Sequence, residues 1–231
     1  MELEQNRRLL KEELDRTTKD NLKEMASLTS LAKMVRYAET TWGKHIGKGS
    51  SRIVYRLPNG NVLKLAFNKK GLAQNRKECG DYYKNGLNCF PNVYECSDDD
   101  YLWCEVQPAP QAKKSDFKKL WGISLEDAYV IMEYECYRIT NRGFRYDLTE
   151  EQNHILQTIY DEDDSKPYYL TLHDLILDYI PNYGGDRTLV GDLSRVCNWG
   201  IVERDDGRKD LVVIDSGIDE EVFNTYYKRN R

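Results

Sequence analysis

The sequence predicts an α+β protein: a helical arm, an antiparallel sheet and a largely helical remainder. Three observations predict it. Residues 1–42 hold no proline or glycine and are rich in Glu, Lys, Arg, Leu and Met, which is the composition of helix. Apolar-rich runs flank Pro58-Asn59-Gly60 and again Asp205-Asp206-Gly207, each a hairpin signature. Between the hairpins lie segments with helix-starting residues at Ser124 and Thr149. The expected division is a helical arm over 1–42 and a domain over 43–231, sheet-rich over about 43–110 and largely helical over about 111–231.

In the arm, Leu3, Leu10 and Leu14 form a thin apolar stripe among dense charges, with a break or second cap expected at Thr17-Thr18-Lys19-Asp20. Beyond it, Leu22, Met25, Ala26, Thr29, Ala32 and Val35 form a broader face. The second half is therefore expected to pack on the domain and the first half to be solvated. So charged a helix is not stable alone, and its other use is a docking arm for a protein partner or for self-association.

Strands are expected at Arg52–Leu57 and Asn61–Phe67, joined by the Asn-Gly turn. A helix from about Leu72 to Tyr83 follows, then strands near Asn92–Glu95 and Tyr101–Val106. The run Ser97-Asp98-Asp99-Asp100 between them reads as a solvated turn despite its metal-site look. Ser124 would cap Leu125–Tyr137, Thr149 would cap Glu150–Tyr160, and Thr171–Tyr179 makes a third helix. Trp199–Glu203 and Asp210–Asp215 form the second hairpin, and a helix at about Asp219–Lys228 closes the chain.

Composition excludes several function classes. With 231 residues, 40% of them hydrophobic, the chain fills a core without metal or disulfide staples. A formal charge of −5 argues against a dedicated nucleic-acid binder. No apolar run approaches the roughly 18 residues of a membrane span, and the amino terminus lacks a signal-peptide core. The expected location is the cytoplasm. The six cysteines (79, 89, 96, 104, 136 and 197) contain no C-x-x-C pair, and with only three histidines they offer no zinc spacing. Six reduced, mostly buried thiols are expected.

Four features fall in a meaningful order. Gly47 and Gly49, in His45-Ile46-Gly47-Lys48-Gly49-Ser50-Ser51-Arg52, precede a β-branched strand, where glycine allows backbone N–H groups to approach a polyphosphate. A glycine pair in a hairpin turn is also ordinary. A Walker loop is excluded, because only three residues separate Gly43 from Gly47 and Gly49 follows Lys48 where a hydroxyl residue is required. Lys64 stands inside an apolar strand, with Val62, Lys64 and Ala66 on one face. By itself it reads as a surface lysine or one reaching into a cleft. Glu78, in a helix, is placed to pair with it. Lastly, Gly191-Asp192-Leu193 precedes Asn198-Trp199-Gly200, and the strand Leu211-Val212-Val213-Ile214 runs into Asp215-Ser216-Gly217.

In this order of motifs the chain resembles the protein-kinase-like superfamily, small-molecule phosphotransferases of the same fold included, over roughly Gly47 to Gly217. Gly191-Asp192-Leu193 with Asn198-Trp199-Gly200 is also similar to small kinase-like proteins encoded by bacteriophages. The resemblance implies a two-lobed kinase-like fold in which Gly47 and Gly49 cover the phosphates of ATP. Lys64 would hold the α/β-phosphates, with Glu78 as its ion-pair partner. Asp192 would be the catalytic base, and Asn198 and Asp215 would bind Mg²⁺.

The departures are specific. Arg52 stands where the third glycine is expected, Val190-Gly191-Asp192 lacks the His-Arg of protein kinases, and Ser216 replaces the aromatic of Asp-Phe-Gly. Asn198 lies six residues after Asp192 rather than five. Gly217 stands 14 residues from the carboxyl end, with no A-P-E motif after it, so no platform for a peptide substrate is expected. The reading that follows is a pseudokinase, a binding or structural module such as a virion component docked through the amino-terminal helix. The alternatives are a reduced ATP–Mg²⁺ phosphotransferase acting on a small molecule or host protein, and an α+β domain with coincidental motifs.

Overall fold

The computed structural model describes residues 2–28, 30–82, 86–97, 100–141, 147–182, 187–215 and 220–227. It is a mixed α+β structure in two compact units. The first comprises Met1–Tyr83 with Val93–Pro108, the second Lys84–Asn92 with Ala109–Arg231. The expected helical arm is thus not a separate unit. Leu22, Met25, Met34 and Ala38 from the two amino-terminal helices share one core with Ile53, Tyr55, Leu57, Leu63, Leu65 and Trp103 of the sheet region.

Helix α1 (Glu2–Ala26) runs unbroken through Thr17 and Thr18. The threonine hydroxyls donate to the carbonyls of Glu13 and Leu14 at 2.9 and 2.8 Å, and Thr18 is fully buried, so the expected break does not form there. The helix ends instead before Ser27-Leu28. Ser30 then caps α2 (Leu31–Trp42) by accepting from Lys33 N. This restart changes the helical phase: Met34 and Ala38 are buried, whereas Ala26 and Ala32 are exposed. Thr29 lies outside the described residues. The first half of α1 is solvated as expected, with Leu9 and Leu10 exposed.

Five antiparallel strands follow: β1 (Gly47–Lys48), β2 (Arg52–Arg56), β3 (Val62–Ala66), β4 (Val93–Cys96) and β5 (Trp103–Val106). Their spatial order is β1-β2-β3-β5-β4. Gly60 takes the left-handed backbone (φ +90°) that the β2–β3 turn requires. Helix α3 (Lys69–Lys77) is capped by Asn68, which moves its start ahead of the expected Leu72, and continues into one π-helical turn, Glu78–Tyr82. Both faces of β3 are covered. Leu63 and Leu65 enter the core shared with α1 and α2, while Val62 joins a second cluster with Cys79, Cys104 and Val106.

Cys79 and Cys96 form a disulfide, which corrects the expectation of six thiols. It ties the π-helical turn to β4. The pair carries no sequence motif, because the folding of α3 against the sheet brings the two residues together. Cys89, Cys104 and Cys136 are buried thiols and Cys197 is an exposed one.

The second unit contains α4 (Lys114–Trp121), α5 (Leu125–Thr140), α6 (Glu150–Tyr160) and α7 (Tyr169–His173). Helix α7 continues through a π-helical stretch, Asp174–Tyr179, to Asn182. Then come α8 (Arg187–Leu193), a 3₁₀ turn (Val196–Asn198), the hairpin β6 (Trp199–Glu203) and β7 (Lys209–Val213), and α9 (Glu220–Tyr226). Ser124 and Thr149 cap α5 and α6 as expected, and Thr149 forms a capping box with Gln152. Helices α4 and α8 have no counterpart in the sequence expectation. Phe117, Trp121 and Trp199 pack edge-to-face with ring centres 5.3–5.6 Å apart. Beneath them Asp210 accepts from Trp121 Nε1 at 2.9 Å and pairs with Arg204 at 2.8 Å. Among the described residues no helix is long and apolar enough to cross a membrane.

Candidate functional site

In the first unit the chemistry centres on β3 and the end of α3. Lys64 sits opposite Val54 of β2 and Cys104 of β5, on the face that meets α3. Its Nζ donates to Glu78 Oε2 at 2.7 Å, so the sequence-derived pair is formed and the surface reading of Lys64 is set aside. The sequence reading missed a third member. Arg52 Nη1 donates to Glu78 Oε1 at 2.7 Å, so one carboxylate serves two cations. Alternation carried the signal: Arg52 lies opposite Ala66, on the same face as Lys64.

Glu78 is 2% exposed. Burial by itself would raise its pKa, but Arg52 and then Lys64 more than offset this and hold it below the ordinary carboxylate value. Burial, followed by the Glu78 charge, pushes the neighbouring Cys104 thiol up to about 12 and keeps it protonated.

The glycine segment is engaged elsewhere. Gly47 pairs with Val54 in the ladder, and Gly49 N donates to Arg52 O at 2.9 Å, closing the β1–β2 turn. Ser50 Oγ accepts from Lys70 Nζ at 2.6 Å, Ser51 Oγ bonds Gln74, and Ser51 O accepts from Phe67 N. Gly71 permits this approach, since a Cβ there would lie 2.3 Å from Ser51 O. The loop is thereby pinned to the start of α3.

The second unit brings Asp192, Asn198 and the approach to Asp215 together. Asp192, outside every element expected from the sequence, occupies the last turn of α8. Asn198 ends the 3₁₀ turn and donates Nδ2 to Asp192 O at 2.9 Å, while its own carbonyl accepts from Ile214 N at 2.8 Å. The turn after α8 absorbs the six-residue spacing. Trp199 Nε1 reinforces it by donating to Leu193 O at 2.8 Å. Burial and then the nearby Asp215 charge raise the Asp192 pKa above the ordinary carboxylate value, against the lowering pull of Arg195 at 3.4 Å. Ser216 and Gly217 lie outside the described residues.

His173, Asp174 and Asp178 also converge, their ligand atoms all within 4.8 Å of one another. Asp174 spends its oxygens on Asn88 N and His173 Nδ1, a bonding pattern that anchors the segment around Asn88. In the expected acidic turn, Asp100 accepts from Leu102 N as a turn residue does, and Asp98 and Asp99 lie outside the described residues.

The Lys64–Glu78 group of the first unit and the Asp192 group of the second are the arrangements that involve site residues expected from the sequence. The first holds a buried and a partly buried cation on one carboxylate. The second holds a carboxyl with raised proton affinity beside an amide and a second carboxylate. No protein-family model matches the chain, and no curated protein matches it significantly.

Proposed function

We propose that this chain is a kinase-like module of the pseudokinase type, which binds partners rather than turning over nucleotide. The observation that carries the reading is the Arg52–Glu78–Lys64 cluster. The strand lysine and helix glutamate are paired as the resemblance requires, but the residue standing for the third glycine draws on the same carboxylate. The pinned β1–β2 loop adds support, because Gly49 spends its N–H on Arg52 O rather than leaving it for a phosphate. In this reading the exposed first half of α1 is the docking surface, for a protein partner such as a viral particle component or for self-association.

The acidic group of the second unit supports a second reading, a reduced ATP–Mg²⁺ phosphotransferase. Asn198 and Asp215 are hard oxygen donors of the kind Mg²⁺ takes, and a divalent ion would relieve the repulsion between Asp192 and Asp215. Asp192, with raised proton affinity, would accept the proton of an acceptor hydroxyl.

Mg-ATP separates the two readings. The pseudokinase reading expects no ADP formation above that of Asp192→Asn, with or without candidate acceptors. Turnover that Asp192→Asn and Asp215→Ala both abolish would overturn it and establish the phosphotransferase. The docking claim requires a truncation confined to residues 2–13, since Leu22 and Met25 belong to the core. Assembly by sedimentation should be lost with an unchanged melting temperature, and assembly that persists would count against the claim.

A further inference from the structure

On the face of the sheet opposite Lys64 lies a second polar constellation, independent of the kinase-like reading. A cavity of about 280 Å³ is lined by α1 (Lys11, Asp15, Lys19), the β2–β3 turn (Asn59, Asn61) and the β4–β5 pair (Tyr94, Glu95, Glu105). Glu105 is its centre. It sits on β5 opposite Leu63, on the face that packs against α1 and α2, and is only 4% exposed. Asn59 Nδ2 and Asn61 Nδ2 both donate to its Oε1, at 2.7 and 2.6 Å. Asn59 Nδ2 also reaches Asp15 Oδ1 at 3.1 Å, which links the helix to the same carboxylate. Both amides converge on one oxygen, so Glu105 is held in a fixed orientation in the cavity wall.

The charges around it are not balanced pairwise. Among the described residues neither Lys11 nor Lys19 forms an ion pair with Glu105 or Asp15, although both line the same cavity. Glu95 stands directly across the ladder from Glu105, adding a second negative charge on the same face. A buried carboxylate beside a like charge, held by two amide donors and in no ion pair with either lysine, is an arrangement that costs free energy unless a counter-charge is supplied. Lys11, Asp15 and Lys19 recur every four residues and so share one face of α1, spanning about 12 Å. The wall therefore reads positive, negative, positive along the helix, with the negative centre held near Glu105 through Asn59.

We infer that this cavity binds a small zwitterion of amino-acid size, its ammonium or guanidinium group at Glu105 and Asp15 and its acidic group at Lys11 or Lys19. The volume suits a ligand of that class and is too small for a folded partner. The Tyr94 ring lines the cavity and adds a face on which an organic cation rests favourably.

The test is calorimetric titration of the full chain at low ionic strength with L-arginine and L-lysine as probes. Argininamide, which lacks the acidic group, and propionate, which lacks the cation, serve as comparators. Saturable binding of at least one amino acid is expected, tenfold or more weaker to Glu105→Gln. Lys11→Ala/Lys19→Ala should weaken the amino acid but not argininamide. Because both lysines are exposed on α1, that variant keeps the test decisive if Glu105→Gln does not fold. No saturable binding of either amino acid overturns the inference, as does unchanged affinity in Glu105→Gln. Argininamide or propionate binding as tightly as arginine overturns the zwitterion assignment.

Discussion

Glu78→Gln is the substitution that probes the first unit most directly. Glutamine keeps the shape of the side chain but removes the charge that Arg52 Nη1 and Lys64 Nζ share at 2.7 Å each. With Glu78 2% exposed, little water is at hand to take its place. Removing one partner of a buried ion pair costs about 3–5 kcal/mol, and here one carboxylate pairs with two cations. At about 2–4 °C per kcal/mol for a chain of this size, the melting temperature should fall by about 10 °C.

The pH dependence has a definite sign. The pKa of Glu78 is lowered by folding, so its contribution is present above its ordinary value of 4.5 and is lost as pH falls through the lower folded value. The gap between wild type and Glu78→Gln should therefore close under acid. Thermal and urea unfolding at neutral and acidic pH measure this. A companion triple variant, Arg52→Met/Lys64→Met/Glu78→Met, should recover most of the loss, because replacing a whole buried ion cluster by apolar groups is often near neutral. A single variant within about 0.5 kcal/mol of wild type at neutral pH would refute the reasoning, since that is the range of an ordinary surface substitution.

Other outcomes follow from the same geometry. Gly71→Ala should destabilise by about 1–3 kcal/mol in urea titration, because its Cβ would stand 2.3 Å from the Ser51 carbonyl and 3.0 Å from Ala66 Cβ. Cys79→Ser should cost about 3 kcal/mol, the loop-closure value for the 17-residue separation, and a reductant should destabilise wild type but not the variant. Wild type without reductant should alkylate at Cys197 and not at Cys104, whose thiol is buried and held protonated, as peptide mass analysis would show. Asp215→Asn should lower the Asp192 pKa toward the ordinary carboxylate value, read by carbon-detected NMR titration, and Arg195→Ala should raise it.

Local signals in the sequence located much of this structure. The Asn59-Gly60 and Asp206-Gly207 turns demand left-handed backbone that few other residues supply, and both hairpins form around them. Ser124 and Thr149 announce their helices through side-chain caps that need no distant partner. The pairing of Lys64 with Glu78 was expected from the order of motifs that resembles the kinase-like superfamily, and the spacing between Asp192 and Asn198, one residue longer than that resemblance implies, gave no local sign of their contact. The helical state of Asp192 was not legible either. Arg187–Leu193 is short and carries a glycine, so propensity by itself does not declare it a helix. Thr17-Thr18 failed in the opposite sense: both side chains have hydroxyls suited to a cap, yet they bond back to the preceding turn.

What remained hidden depends on which faces meet. Sequence by itself determined that this is an α+β chain with two hairpins and capped helices, because each follows from residues near one another. Only tertiary structure decided that α1 and α2 cover the sheet, that Arg52 joins Lys64 on Glu78, and that Cys79 bonds Cys96. The two-faced burial of β3 is the physical reason. A strand covered on both sides brings helices distant in sequence against alternate residues, and those juxtapositions leave no local mark in the chain.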